Sequence, residues 1–404
     1  MNTGSIDVQD RNEAVSMMEP LLLPAGSPHR PALNDLAVEL AARSAGFRRS
    51  LPEGIITALA DLVRAMNCYY SILIEGHDTH PVDIERALNN DFSHNARKRD
   101  LQLEARAHIS VQQWIDLGGL SGRAYSEEAI REVHRRFCAE LPDELLWVID
   151  TKTGERLKVE PGVLRERDVQ VGQHVAISAG AMPRFLVRFE QVFTGLGRSE
   201  AIIASAAGHH RLLWIHPFLD GNGRVARLIS HAVLLDQLDS GGIWSIARGL
   251  AHRESAYKRH LQACDQARRN DLDGRGDLSE ESLAEFSLFF LETCLDQVTF
   301  MEELAQPGRL RDRILFWVAE AIRQGEIPPK GERILEAILY RGELPRGEVA
   351  DLVDSSDRHA RRIVASLVER GVVVSASSRA PLRLHFPVKL ASRWLPGLFP
   401  EYAG

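Results

Sequence analysis

Residues 216–227 read HPFLDGNGRVAR, and the reading of this stretch decides the fold around it. Upstream, SEAIIASAAGHHRLLWI (199–215) is largely apolar; downstream, GRVARLISHAVLLDQL (223–238) repeats apolar residues at spacings of three and four. Both flanks read as helices. Pro217, Gly221 and Gly223 interrupt the helical pattern between them, so the stretch is a polar connector between two buried helices.

The connector carries a specific set of chemistry. Gly221, Asn222 and Gly223 permit a turn whose successive N–H groups form an anion nest, and the helix that follows adds its positive N-terminus. Arg224 stands at that helix start, and Arg227 projects from roughly the same face three residues on. Two guanidiniums and a nest describe a polyphosphate site better than a carboxylate site. Asp220, a lone carboxylate beside it, suits a hard divalent cation such as Mg²⁺. His216 has the imidazole suited to taking a proton from a hydroxyl nucleophile near pH 7. Two other readings stay open on residue types alone. The arginines could pair with acids around an ordinary polar turn, or His209, His210, His216 and Asp220 could hold a hydrolytic metal. Against the latter, Pro217 and the glycines break the spacing, and no HExxH pair is present.

Working outward, PEGIITALADLVRAMNCYYSILIEG (52–76) is a helix that Gly76 is placed to end. VDIERALNN (82–90) is a short helix, followed by a long one containing Leu101, Leu103, Ala107 and Ile109. SEEAIREVHRRFCAEL (126–141) opens with Ser126 as its cap and Ala129 three residues later. The tract 146–176, with Gly154, Gly162 and Gly172 among valines, reads as a hairpin or flap inserted in a helical body. Helices resume near Met182, and DLDGRGDLSEESL (271–283) leads into a helix from Ser279 to about Phe300. In the first fifty residues Pro20, Pro24, Pro28 and Pro31 predict an arm with a short helix. Pro328 and Pro329, after a helix ending near Gln324, predict a linker.

From Lys330, GERILEAILYRG, LPRGEVADLV and DRHARRIVASLVERG read as three helices, and VVVSASSRAPLRLHF as two strands around a turn. That order is the pattern of a winged helix. Its third helix places Arg358, Arg361 and Arg362 where a recognition helix would meet DNA. Residues 330–404 hold 12 Lys or Arg against 9 Asp or Glu, so this unit is mildly basic and is read either as a DNA contact or as a dimer contact or target-positioning unit.

Composition bounds the rest. The 404 residues are 44% hydrophobic and 26% charged, as in a soluble globular protein, and are enough for two or three domains. With 49 basic and 56 acidic residues the net charge is −7, which does not mark a general nucleic-acid binder. Cys68, Cys138, Cys264 and Cys294 form no CxxC pair and read as buried thiols of a reducing compartment. Neither a signal peptide nor a membrane-length apolar run is apparent, and the cytoplasm is the expected location.

HPFLDGNGRVAR matches the signature of the Fic (filamentation induced by cAMP) family in full, and residues of about 50–300 resemble its helical core. The apolar approach helix with His209 and the flap-like VLRERDVQVGQHV (163–175) resemble the family's too. SILIEG (71–76) resembles its inhibitory motif, carried N-terminal to the core. The resemblance implies a mainly α fold: an N-terminal arm (1–50), a helical region with the inhibitory helix (51–125), a catalytic core with a small β-hairpin flap (126–300), a helix and linker (301–329), and a winged-helix-like unit (330–404). It implies transfer of AMP from ATP to a Ser, Thr or Tyr hydroxyl of a protein, possibly the chain itself, by a homodimer. His216 would deprotonate the target and Asp220 hold Mg²⁺. Gly221, Asn222 and Gly223 would hold the α- and β-phosphates, Arg224 offset charge in the transition state, and Arg227 hold the γ-phosphate. Val163, Leu164, Arg165 and Val169 would belong to the flap, with Tyr257, His260 and Asn270 as weak candidates for the base. Ser71, Glu75 and Gly76 would form the brake, Glu75 reaching Arg227. The same glutamate supports removal of AMP in some relatives, so hydrolase and bifunctional readings remain, as does an ATP-sensing regulator.

Overall fold

The computed structural model describes residues 8–150 and 153–400. Residues 1–7 of the expected arm, residues 151 and 152, and residues 401–404 of the expected C-terminal unit lie outside them.

The fold is mainly α. Helix α1 (Arg30–Arg49) corrects the expected arm: it has 20 residues and buries Leu33, Ala37, Leu40, Ser44 and Phe47. Four prolines suggested a broken chain, but Pro31 lies in the first turn, where its missing N–H costs nothing and its fixed φ favours the helix. The segment before it is tied down by side chains: Glu13 accepts from the Ser178 N–H at 2.8 Å, and Arg184 donates to Asp10.

Helix α2 (Glu53–Ile74) is apolar on nearly every side and is buried from Ile55 to Ile74 except at its edges. It ends as the sequence predicts. Gly76 takes φ 85°, the Gly76 N–H donates to Leu73 O at 2.9 Å, and the His77 N–H donates to Ile72 O at 3.2 Å. This closure leaves Glu75 as the residue that caps the helix, just past Ile74. Helices α3 (Pro81–Leu88), α4 (Ala96–Asp116) and α5 (Glu127–Ala139) follow, α5 capped by Ser126 Oγ accepting from the Ala129 N–H at 3.1 Å. Its buried face is Ala129, Ile130, Val133, His134 and Phe137.

The expected single flap is two hairpins. Strands β1 (Trp147–Ile149) and β2 (Arg156–Lys158) pair antiparallel, as do β3 (Gln170–Val171) and β4 (His174–Val175). Val163, Leu164 and Arg165 lie in the loop between them, outside both ladders, and Val169 immediately precedes β3. Arg165 explains the interruption. It is buried, and its guanidinium donates to the backbone carbonyls of His216 at 2.8 Å, Arg167 at 2.8 Å and Ile177 at 2.6 Å. A side chain that satisfies so many carbonyls takes that backbone out of a ladder.

Helices α6 (Met182–Phe193), α7 (Arg198–Ile215) and α8 (Asn222–Leu238) form the centre, and the 216–221 connector joins α7 to α8. Helix α7 is buried almost all round, with Ala204, Ala206, Ala207 and Gly208 allowing neighbours close. Helices α9 (Ala247–His252), α10 (Glu254–Cys264), α11 (Glu280–Leu304) and α12 (Pro307–Arg323) complete the body. Helix α11 starts at Ser279, whose side chain accepts from the Ser282 N–H, and runs on to Leu304, beyond the expected end near Phe300.

The C-terminal unit has α13 (Gly331–Arg341), β5 (Glu343–Leu344), α14 (Val349–Leu352), α15 (Asp357–Glu369), β6 (Val373–Val374), β7 (Leu382–Leu384) and α16 (Ala391–Trp394). Its sheet has three strands in the order β5-β7-β6, one more than the sequence suggested. Helix–strand–helix–helix–strand–strand is the order of a winged helix. The unit packs on α2: the Tyr70 hydroxyl donates to Leu398 O at 3.1 Å, and the Tyr69 and Phe399 rings meet edge-on at 5.9 Å. Among the described residues no helix is long and apolar enough to cross a membrane.

Candidate active site

The connector turns sharply at both ends. His216 caps α7 in the left-handed region (φ 52°), and Gly221 precedes α8 with φ 80°. The first helical bond across this junction is from the Val225 N–H to Gly221 O at 3.0 Å, so the N–H groups of residues 222–224 lie ahead of the ladder. They form the nest. Asn222 does not aim its amide at it: Oδ1 accepts from the Phe218 N–H at 3.0 Å and Nδ2 donates to Phe218 O at 2.8 Å. The side chain expected to hold phosphate instead stitches the loop, leaving the backbone N–H to the nest.

His216 Nδ1 lies 3.3 Å from the carbonyl of Leu213, an acceptor only, so the neutral ring carries its proton there and leaves Nε2 as a lone pair. Burial, aided by the Arg165 charge, pushes its pKa down to about 4. Near pH 7 it is a free base. Asp220 is half-exposed, and its Oδ2 accepts from Arg224 Nη2 at 3.0 Å.

The two arginines of α8 are both buried. Arg227 is enclosed by α2. Its Nε donates to Ser71 Oγ at 2.8 Å, Nη2 donates to Ser71 O at 3.0 Å, and Nη2 also pairs with the Glu75 carboxylate. Burial pushes the Glu75 carboxyl up, but Arg227 outweighs it and holds the group below the usual carboxylate range. A Cβ on Gly223 would collide with that carboxylate and stand 3.2 Å from Arg227 Nη1, so the glycine is what lets Glu75 reach the first turn of α8. Ser71, Glu75, Gly223 and Arg227 therefore meet at one point, with Gly76 supplying the turn behind them.

Arg224 is enclosed differently. Nη1 pairs with Glu104 of α4, and the guanidinium lies over the Phe137 ring at 4.9 Å. Glu104 Oε2 in turn lies 3.2 Å from His77 Nδ1, and this contact raises the His77 pKa. Neither Glu104 nor His77 was singled out by the sequence. The available signal was the polar series Glu104, His108, Gln112 and Asp116, one residue every fourth position on α4, all buried but for a remnant of Asp116.

His134 was also missed. Its ring stacks on Phe218 at 3.8 Å, and Nδ1 accepts from the Gly162 N–H at 2.9 Å, tying the loop after β2 to the connector. Burial pushes its pKa down to about 4.

Space surrounds the motif on three sides. A cavity of about 440 Å³ beside His216 is lined by Val171, His174, Leu213, Trp214, Leu261 and Asp265. Another of about 420 Å³ on the Arg224 side is lined by His77, Asp78, Glu104, Leu141 and Asp220. A third, about 240 Å³, lies between β2 and the Val163–Arg167 loop and reaches Leu219. None of the residues suggested for base contact lines these cavities. Tyr257 is buried with its hydroxyl 2.7 Å from His209 Nε2, His260 stacks on Phe289, and Asn270 sits on an exposed turn where its side chain accepts from the Leu272 N–H. His210 is a packed residue, 3.0 Å from Asp265, and His231 lies 2.7 Å from Asp116. Among the described residues no group of three or more His, Cys, Asp and Glu is arranged to hold a metal ion, which removes the hydrolytic cluster of His209, His210, His216 and Asp220. Arg358, Arg361 and Arg362 lie far along the chain on the exposed side of α15, and form no ion pair among the described residues.

Residues 124–234 match the family model described as the Fic/DOC family. The protein adenylyltransferase Fic of Drosophila erecta is 24% identical over 169 residues, 41% of this chain and 31% of the relative; that of Drosophila persimilis is 26% identical, covering 41% and 30%. The match thus spans about a third of these relatives. A crystal structure of a Fic family protein from Desulfovibrio desulfuricans shares the fold at 17% identity, with a TM-score of 0.53, over 90% of this chain and 98% of that one. The motif and nearly all of the two helices it joins fall inside the stretch that matches the Fic/DOC family model, so residues 124–234 of this chain are similar to a Fic domain.

Proposed function

We propose that the chain is a protein adenylyltransferase that moves AMP from ATP to a Ser, Thr or Tyr hydroxyl and is held in check by its own helix α2. The observation that carries this reading is the Glu75 carboxylate lying on Arg227 over the first turn of α8. The chain places an anion of its own where a nest and a guanidinium are prepared for a phosphate.

In the transfer, the target oxygen bonds to the α-phosphorus, the bond from that phosphorus to the bridging oxygen breaks, and pyrophosphate leaves. The hydroxyl proton passes to His216 Nε2, which burial keeps unprotonated. The N–H groups of residues 222–224 and the Arg224 guanidinium offset charge gathering on the phosphate oxygens. Asp220 fits Mg²⁺: it is a half-exposed single carboxylate beside the nest, and Mg²⁺ usually takes one or two carboxylates with phosphate oxygens and water. When bound, the ion would supply positive charge against the phosphates. The cavity beside His216 suits the nucleoside, and the loop at Val163–Arg167 suits the target segment. Glu75 blocks productive seating by occupying Arg227 and by adding negative charge where the γ-phosphate would lie.

Mass spectrometry of lysate proteins treated with the Glu75→Gly chain, ATP and Mg²⁺ tests the chemistry. An added AMP on hydroxyl side chains supports it, while an unmodified proteome and unmodified chain remove it.

A second reading concerns the C-terminal unit. The exposed, unpaired Arg358, Arg361 and Arg362 on α15 favour DNA contact. Binding to duplex DNA that weakens with salt and is lost on changing all three to Ala supports it; binding unchanged by the triple substitution removes it.

A further inference from the structure

Arg224 has two carboxylate partners in unlike surroundings. Glu104 is buried, its side chain 8% exposed, and it reaches Arg224 from α4. Asp220 is 51% exposed and belongs to the connector itself. A buried guanidinium stripped of its buried partner is left as an uncompensated charge, whereas a solvated carboxylate can leave at little cost. The bond to Asp220 is therefore the one that can be exchanged for phosphate, and the bond to Glu104 the one that persists. The Phe137 ring under the guanidinium adds a second fixed contact.

Helix α4 treats the neighbouring arginine in the opposite way. His108 lies one turn beyond Glu104 on the same face, fully buried, with neither ring nitrogen hydrogen-bonded. Burial, with the charges of Arg227 and Arg224, pushes its pKa down to about 3, so it brings no charge to Arg227. The anionic partner of Arg227 comes from α2 alone. We infer that Glu104 is a positioning residue for phosphoryl chemistry: it holds Arg224 with Nη2 facing the nest whether or not α2 has withdrawn. This rests on the adenylyl-transfer reading above. It adds that the two arginines are separately controlled, one fixed by α4 and one gated by α2. His77, just past Gly76, lies against Glu104 in the middle of α4.

The test uses the full chain in two cycles. In the Glu75→Gly background, Glu104→Gln should lower kcat for AMP transfer at least 30-fold while KM for ATP moves less than threefold. Adding Arg224→Met to Glu104→Gln should cost little more than Arg224→Met alone, because both remove one function. Unchanged kcat, a loss confined to KM, or multiplicative losses overturn the proposal. Thermal unfolding of the same substitutions with Glu75 intact needs no activity: the Tm drop from Glu104→Gln should largely vanish when Arg224 is also Met. Additive Tm drops overturn it as well. Absence of any transfer by the Glu75→Gly chain itself would count against the function proposed above, and the Tm cycle would still decide the pairing.

Discussion

Arg224 and Arg227 stand three residues apart on one helix, both buried, and differ only in who answers their charge. Arg224 is met by a buried carboxylate from α4 and a solvated one from its own loop. Arg227 is met by a hydroxyl, a carbonyl and a carboxylate from the end of α2, with the buried Tyr257 hydroxyl of α10 also beside it. The difference teaches that a buried cation needs a counter-charge, and the element that supplies it determines whether the cation is always in place or available only after a movement. The first arrangement suits a group needed in every transition state, the second a group whose release sets the rate.

The largest expected difference between the two is in stability. Glu104→Gln leaves Arg224 buried with one solvated partner and should cost about 3–5 kcal/mol in urea unfolding. Glu75→Gln also takes the anionic partner from a buried guanidinium, but it leaves Arg227 the Ser71 hydroxyl and carbonyl, and the lost carboxylate was 32% exposed, so water can take its place and the cost should be smaller, about 1–2 kcal/mol. Equal losses would erase the distinction. Next comes rate: in the Glu75→Gly chain, Arg224→Met should slow AMP transfer by about 10²–10³-fold with saturating ATP, whereas Arg227→Met should act mainly on KM for ATP. Equal effects on kcat would mean that both arginines serve the transition state. Smaller is the effect on binding. Glu75→Gly should tighten Mg·ATP by about tenfold in calorimetry, as loss of a competing anion worth roughly 1.4 kcal/mol predicts.

The smallest effects are in pH. The Glu75–Arg227 contact contributes stability above the ordinary carboxylate pKa and loses it only as pH falls through the depressed value, so acid near pH 5 should not release the brake. The His77–Glu104 tie runs the other way: present below the ordinary histidine value of about 6.5 and lost as pH rises through the raised one. His77→Ala should flatten any decline of stability above neutrality. Transfer by the Glu75→Gly chain should be level above about pH 6 and fall as pH drops through the His216 value of about 4.

The parts legible in the sequence are local ones. Gly76 ends α2 because a Schellman closure needs only neighbouring residues, and HPFLDGNGRVAR forms a connector because Pro217 and its glycines act within one turn. Glu75 could be singled out because SILIEG resembles the family's inhibitory motif; that a glutamate at a helix end opposes the dipole adds only a little weight. Glu104 announces at most its place in the polar series of α4, and no partner. It sits in ARKRDLQLEARAHIS among charges that look like a solvated face, and its partner lies 120 residues on. Helix α1 was obscured because prolines outside and just inside a helix look alike in sequence. The flap reads as one hairpin in sequence because the buried Arg165, which divides it, resembles the half-buried Arg167 two residues on.

The central claim is that Arg227 is withheld by Glu75 from a site otherwise ready to use ATP. Incubation with labelled ATP and Mg²⁺ of the parent chain, Glu75→Gly, and Glu75→Gly with His216→Ala tests it most directly. The account predicts label on protein with Glu75→Gly alone; equal labelling by the parent, or label that survives His216→Ala, would contradict it.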